Sequence, residues 1–135
     1  MPDKAILIVD DEAIILLSIK QSLQLRFGRR FRYETAMDAQ SGLACIEELE
    51  AEGIEVVVVI SDWLMPGMKG DEFLKTVERK NPSIQLVMIT GHADESEIEK
   101  LCVNINMKAC LRKPFNTEKL FEIIETAVED FSKTE

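Results

Sequence analysis

Residues 55–70 read EVVVVISDWLMPGMKG. From Val56 to Ile60 the chain is an unbroken aliphatic run with no polar alternation, the pattern of a parallel strand covered on both faces. The run passes through Ser61 into Asp62, and a Pro-Gly turn follows at Pro66-Gly67. A buried strand does not ordinarily end on a carboxylate, so Asp62 asks for a function.

Working outward, similar Ile- and Val-rich runs fall at residues 5–9 and 86–89, with weaker ones at 32–35 and 109–112. Helical spacing fills the gaps. Leu16, Ile19, Leu23 and Phe27 make one stripe; Ala39, Leu43, Ile46 and Leu49 make a second behind Asp38, a residue suited to N-capping. Phe73, Leu74 and Val77 follow Gly70-Asp71-Glu72, whose acids suit a helix N-terminus, and Asn81-Pro82 closes that helix. Ile98, Leu101, Cys102 and Ile105 make a fourth stripe; Leu120, Ile124, Ala127 and Phe131 make a fifth behind Asn116-Thr117. Stripes of this kind face a core. Repeated strand–helix units predict a parallel sheet with right-handed crossovers and helices on both faces. Five units are too few for an eight-stranded barrel, so the expectation is an α/β, open, doubly wound sheet. It forms one domain over residues 1–135, with its core at about 4–131.

Composition narrows the function classes. With 25 acids against 16 bases the net charge is −9, which argues against direct nucleic acid contact, since phosphate recognition needs clustered Lys and Arg. The one basic cluster, Arg26, Arg29, Arg30 and Arg32, reads as a solvated turn. No apolar stretch approaches the roughly 18–20 residues of a membrane span, and the start has no signal-peptide layout, so no membrane role and a cytoplasmic location are expected. Cys45, Cys102 and Cys110 include no CxxC pair and read as reduced, small hydrophobes.

Polar residues recur at one place in the pattern. The first strand runs into Asp10-Asp11, the third into Asp62, the fourth into Thr90 and the fifth into Lys113. Open α/β sheets bind ligands at the carboxyl ends of their strands, near the point where strand order reverses. If the first and third strands are neighbours there, three carboxylates meet and raise one another's pKa values. A divalent cation relieves that repulsion, and hard carboxylate oxygens with room for water suit Mg2+. Thr90 offers a hydroxyl and Lys113 an ammonium, and a carboxylate can itself be the nucleophile in phosphoryl transfer. Read singly, Asp10-Asp11 could cap a helix and Asp62 could begin an Asx turn.

The stretches ILIVDDEAIILLSI, VVVVISDWLMPGMKGDEFL, IQLVMITGHAD and ACLRKPFN, spread from residue 6 to 116, resemble the receiver domain of the two-component response regulators, the CheY-like family. The resemblance implies a five-stranded sheet of order 2-1-3-4-5. It implies Asp62 as phosphoacceptor, Mg2+ held by Asp11, by Asp10 through water, by Asp62 and by the backbone carbonyl of Leu64, and Thr90 and Lys113 contacting the phosphoryl group. Met65, Pro66, Gly67 and Gly70 would shape the adjoining loop. A sensor histidine kinase or histidine phosphotransfer protein would donate the phosphoryl group, and an output domain or downstream protein would read it. No enzymatic activity is expected beyond self-directed phosphoryl transfer and autodephosphorylation. The face of the fourth predicted helix, fifth strand and fifth helix, with Glu97, Glu99, Lys100 and Lys119, is the family's usual partner or homodimer surface.

One position departs from the family. A Tyr or Phe commonly precedes the Lys by three residues and serves as a conformational switch; here it is Cys110. This keeps open the alternative of a receiver-like interaction module not regulated by phosphorylation. A haloacid-dehalogenase-type phosphatase would carry a second Asp two residues after its nucleophile, where Asp10 is followed by Glu12, and a flavodoxin-like carrier would need a Ser/Thr-Gly phosphate loop after the first strand. In that family the positions of Leu64 and His92 flank the attacking water in dephosphorylation; His92 reads more readily as solvated loop. Leu64 cannot hydrogen-bond that water, so Leu64→Asn is expected to accelerate decay of the acyl phosphate; unchanged decay in a chase experiment would refute the assignment.

Overall fold

The aliphatic runs pair into one five-stranded parallel sheet in a computed structural model, with β1 (Lys4–Val9), β2 (Arg32–Ala36), β3 (Glu55–Asp62), β4 (Gln85–Thr90) and β5 (Met107–Arg112) in the order β2-β1-β3-β4-β5. The structure describes residues 2–63, 65, 67–91, 96, 100 and 105–134. Four helices lie among these: α1 (Ala13–Phe27), α2 (Ala39–Ala51), α3 (Gly70–Lys80) and α4 (Thr117–Thr134), with a short 3-10 turn at Gly28–Arg30. Of the fourth predicted stripe, Ile98, Leu101 and Cys102 lie outside the described residues, while Ile105 is buried. Glu97 and Glu99, expected on the partner face, also lie outside them.

Each helix buries the face its periodicity marks. On one side of the sheet, α1 contributes Leu16, Ile19, Leu23 and Phe27, and α4 contributes Leu120, Ile124, Ala127 and Phe131. On the other side, α2 and α3 supply Ile46, Leu49, Phe73, Leu74 and Val77. Leu43 is only half-buried, and Gly42 takes the inner position instead. A Cβ at Gly42 would stand 3.0 Å from the Phe73 ring, so glycine lets that ring lie against α2. Asp38 caps α2 as expected, accepting the Ser41 N–H at 2.7 Å.

A bulge in β3 sets which way its end faces. Pairing with β1 steps from Ala5↔Val56 to Ile6↔Val58, and Val57 and Val58 both join the core beneath α1 and α4. Beyond the bulge the alternation resumes: Val59 points to the α2/α3 side and Ile60 to the α1/α4 side. Ser61 then pairs with Val9 and Met88, and Asp62 with Ile89.

The basic cluster is partly neutralised within the fold. Arg26 pairs with Glu125, Arg32 with Glu34 at 2.6 Å and Glu52 at 3.2 Å, and Arg30 lies over the rings of Phe27 and Phe31. Among the described residues no helix is long and apolar enough to cross a membrane.

The Phe73 ring is fully enclosed between α2, α3 and the sheet, whereas Ile14 is 81% exposed. Phe73→Ala is expected to cost about 3–5 kcal/mol, while Ile14→Gln stays within about 0.5 kcal/mol of the parent. Urea midpoints at constant slope measure both.

Candidate metal centre

The sheet order makes β1 and β3 neighbours, and their carboxyl ends bring the acids together. Asp10 follows directly on β1, where its N–H donates to the Ala36 carbonyl at 3.1 Å and the residue is 2% exposed. Asp10 Oδ1 accepts the Glu12 N–H at 2.9 Å, so one oxygen does serve the entry to α1. Its other oxygen, Oδ2, lies 3.3 Å from Lys113 Nζ. Asp62 closes β3 at 7% exposure. Its Oδ1 accepts the Trp63 N–H at 2.9 Å and stands 3.5 Å from Lys113 Nζ. Asp11 is exposed, yet Asp10, Asp11 and Asp62 can each place one carboxylate oxygen within 4.8 Å of the others.

Thr90 and Lys113 arrive from the other side. Thr90 ends β4 at 1% exposure, and its carbonyl accepts the Lys113 N–H at 2.8 Å, tying the two strand ends together. Lys113 is half-buried and its ammonium also lies 4.0 Å from Glu12.

Burial, and then the charge of Asp10, push the Asp62 carboxyl above the usual aspartate value; Lys113 and the Trp63 N–H pull against them. For Lys113, burial favours the neutral form, but Asp10, Asp62 and Glu12 together outweigh it and its pKa is raised. The centre therefore holds more negative charge than its single ammonium offsets. Hard oxygen donors from three carboxylates, one of them open to solvent, suit Mg2+.

The loop after β3 closes tightly on this point. Gly67 has φ +83°, which suits glycine, and Met65 is buried. Gly70 donates its N–H to the Trp63 carbonyl at 2.7 Å, and a Cβ there would stand 2.2 Å from the Asp62 carbonyl oxygen. Leu64, Pro66 and His92 lie outside the described residues. Cys110 is half-buried, paired in register with Met88 and packed against the core under α2 and α3. Two contributors escape a reading of the sequence. Glu12 continues the acidic run Asp10-Asp11, and that run was its available signal. The Trp63 main-chain N–H has no signal at all, because any residue supplies one.

Fold and site define a CheY-like α/β domain. Residues 6–125 match the response regulator receiver domain, and the chain belongs to that family. It is 30% identical over 125 residues to the chemotaxis protein CheY1 of Helicobacter pylori strain J99, covering 91% of this chain and 95% of that protein. It is 28% identical over 124 residues to the sensor kinase CckA of Brucella abortus, covering 92% of this chain but only 12% of the kinase. A crystal structure of a CheY-like receiver domain protein from Methanospirillum hungatei superimposes with a TM-score of 0.83 at 32% identity, covering 98% of each chain. The chain thus spans nearly all of some relatives and a small part of others.

An acid with a raised folded-state pKa costs stability above its unfolded value, and the cost disappears once pH falls below that value. In EDTA at neutral pH, Asp62→Asn is therefore expected to melt at or above the parent temperature, with any advantage shrinking towards about pH 4. Mg2+ should raise the parent's melting temperature more than the variant's. Thermal scans with and without Mg2+ check both.

Proposed function

We propose that this receiver domain accepts a phosphoryl group on Asp62 from a histidine kinase or histidine phosphotransfer protein in a Mg2+-dependent reaction, and passes the signal to an output domain or partner in the cytoplasm. The observation that carries this reading is the convergence of Asp10, Asp11 and Asp62 within 4.8 Å, with Lys113 Nζ 3.3 Å from Asp10 and 3.5 Å from Asp62. An Asp62 carboxylate oxygen attacks the phosphorus of a phosphohistidine; the O–P bond forms as the P–N bond breaks, and the imidazole leaves with the electron pair. Lys113 offsets charge on the phosphoryl oxygens, and the Thr90 hydroxyl hydrogen-bonds one of them. Asp11, Asp62, the Leu64 carbonyl and, through water, Asp10 would hold Mg2+, which would supply the further positive charge that the acids and the incoming phosphoryl group require. The Trp63 N–H, already committed to Asp62 Oδ1, leaves Oδ2 for attack.

The approach side supports a protein donor. Ile14 and Leu17 on α1 are 81% and 56% exposed, beside an apolar hollow of about 420 Å3 that runs from Lys113 and Phe115 to Ile15 and Ile19. Incubation with acetyl phosphate and Mg2+ is expected to add the mass of one phosphoryl group to the parent, and none to Asp62→Asn or to the parent in EDTA. No gain in the parent would favour an interaction module that works without phosphorylation.

A further inference from the structure

Ser61 is a polar residue fully buried in the strand that carries the acceptor, and the chemistry above makes no use of it. A buried hydroxyl without a partner is costly, and a strand of Val and Ile could have continued with another aliphatic residue. Its partner is specific: Ser61 Oγ donates to the Asp62 carbonyl oxygen at 2.9 Å. That carbonyl belongs to the Asp62–Trp63 peptide. The N–H at the other end of the same peptide donates to Asp62 Oδ1 at 2.9 Å and to the Ile89 carbonyl at 3.3 Å. Gly70 crowds this peptide from outside, since a Cβ there would stand 2.2 Å from the same oxygen and 2.8 Å from Trp63 Cα.

Peptide units are planar, so fixing the carbonyl fixes the direction of the N–H. We propose that Ser61 is a positioning residue: its hydroxyl sets the plane of the Asp62–Trp63 peptide, and through the Trp63 N–H the rotation of the Asp62 carboxylate towards the cation and the incoming phosphorus. The inference deepens the phosphoacceptor reading and rests on it for its last step only. Ser61 touches no reacting group. It faces the α2/α3 side with Val9 and Met88 in register, and it acts through the backbone.

Ser61→Ala removes the donor while leaving almost the same volume, and Ser61→Thr restores it. In the metal-free protein, hydrogen exchange at the Trp63 amide is expected to quicken about tenfold in Ser61→Ala, with the amides of Val58, Val59 and Ile60 unchanged. Mg2+ affinity, titrated without any phosphodonor, should fall about tenfold, the usual effect of losing a group that orients a metal ligand. Ser61→Thr should recover both. Parental Trp63 exchange and parental Mg2+ affinity in Ser61→Ala would overturn the proposal, as would equal losses in the alanine and threonine variants. A drop in melting temperature with both readouts unchanged would mark a structural role only and would overturn it too. If the parent takes no phosphoryl group from acetyl phosphate, the reading of Asp62 fails, while exchange and Mg2+ affinity still decide the role of Ser61.

Discussion

Asp10 and Asp62 are held almost out of solvent at the ends of adjacent strands, with the Lys113 ammonium 3.3 and 3.5 Å from them. Left to itself a chain would separate these acids or protonate one; burial first, and then the charge of Asp10, push the Asp62 carboxyl above the usual aspartate value. What prevents separation is the sheet. β3 is buried along its length after Glu55 and pairs with β1 and β4, so its end cannot relax without breaking two ladders. Hydrophobic packing far from the site thus sustains an electrostatic arrangement that is unfavourable in the isolated protein. A divalent cation is the ligand that would relieve it.

Most of this arrangement was legible because buried parallel strands leave a strong signature. The run Val56–Ile60 declared β3, and the polar residues after each run declared the edge at which the site lies. β2 and β5 were weaker because edge strands are covered less: only Tyr33 and Ala36 of β2 are buried, and most of β5 is half-buried. Both extended further than their apolar cores suggested, to Ala36 and back to Met107, because hydrogen bonding continues past the hydrophobic run. The β3 bulge left no mark in a row of identical valines, though it decides which face Ser61 and Asp62 take. Neither simpler reading, Asp10 as a cap or Asp62 as a turn former, holds: α1 is N-capped by Glu12 with no side-chain bond, and Asp62 Oδ1 accepts from the next residue rather than from the second residue on, as an Asx turn requires. In both side chains one oxygen serves the local backbone, and the metal-centre reading concerns the remaining capacity.

The local rules fail where the chemistry concentrates, as expected when a sequence trades local consistency for a site. A hydroxyl and a carboxylate end the most apolar strand. The α3 helix begins at Gly70, where a Cβ would strike the Asp62 carbonyl, and its N-cap residue Lys69 makes no side-chain cap bond. The lack of a cap is tolerable because the Gly70 N–H is satisfied by Trp63, so the helix terminus and the strand end brace each other.

The two halves of the centre are held unequally. Asp62 ends β3 and Asp10 follows directly on β1, and the inner residues of both strands are buried. Lys113 follows β5, the strand with the most half-buried positions, and reaches the acids on a flexible stem. Thr90 joins the two halves, since β4 is buried like β3 while the Thr90 carbonyl holds the Lys113 N–H. Movement at the β5 end therefore meets the site first at Thr90 and Lys113, with the acids as the fixed reference. Cys110 lies on that less constrained strand, opposite Met88 and two positions below the Thr90–Arg112 pair. A thiol there fills less of the interface than an aromatic ring. The main-chain bond between Lys113 and Thr90 also ties this strand to the site, and it does not depend on the side chain at position 110.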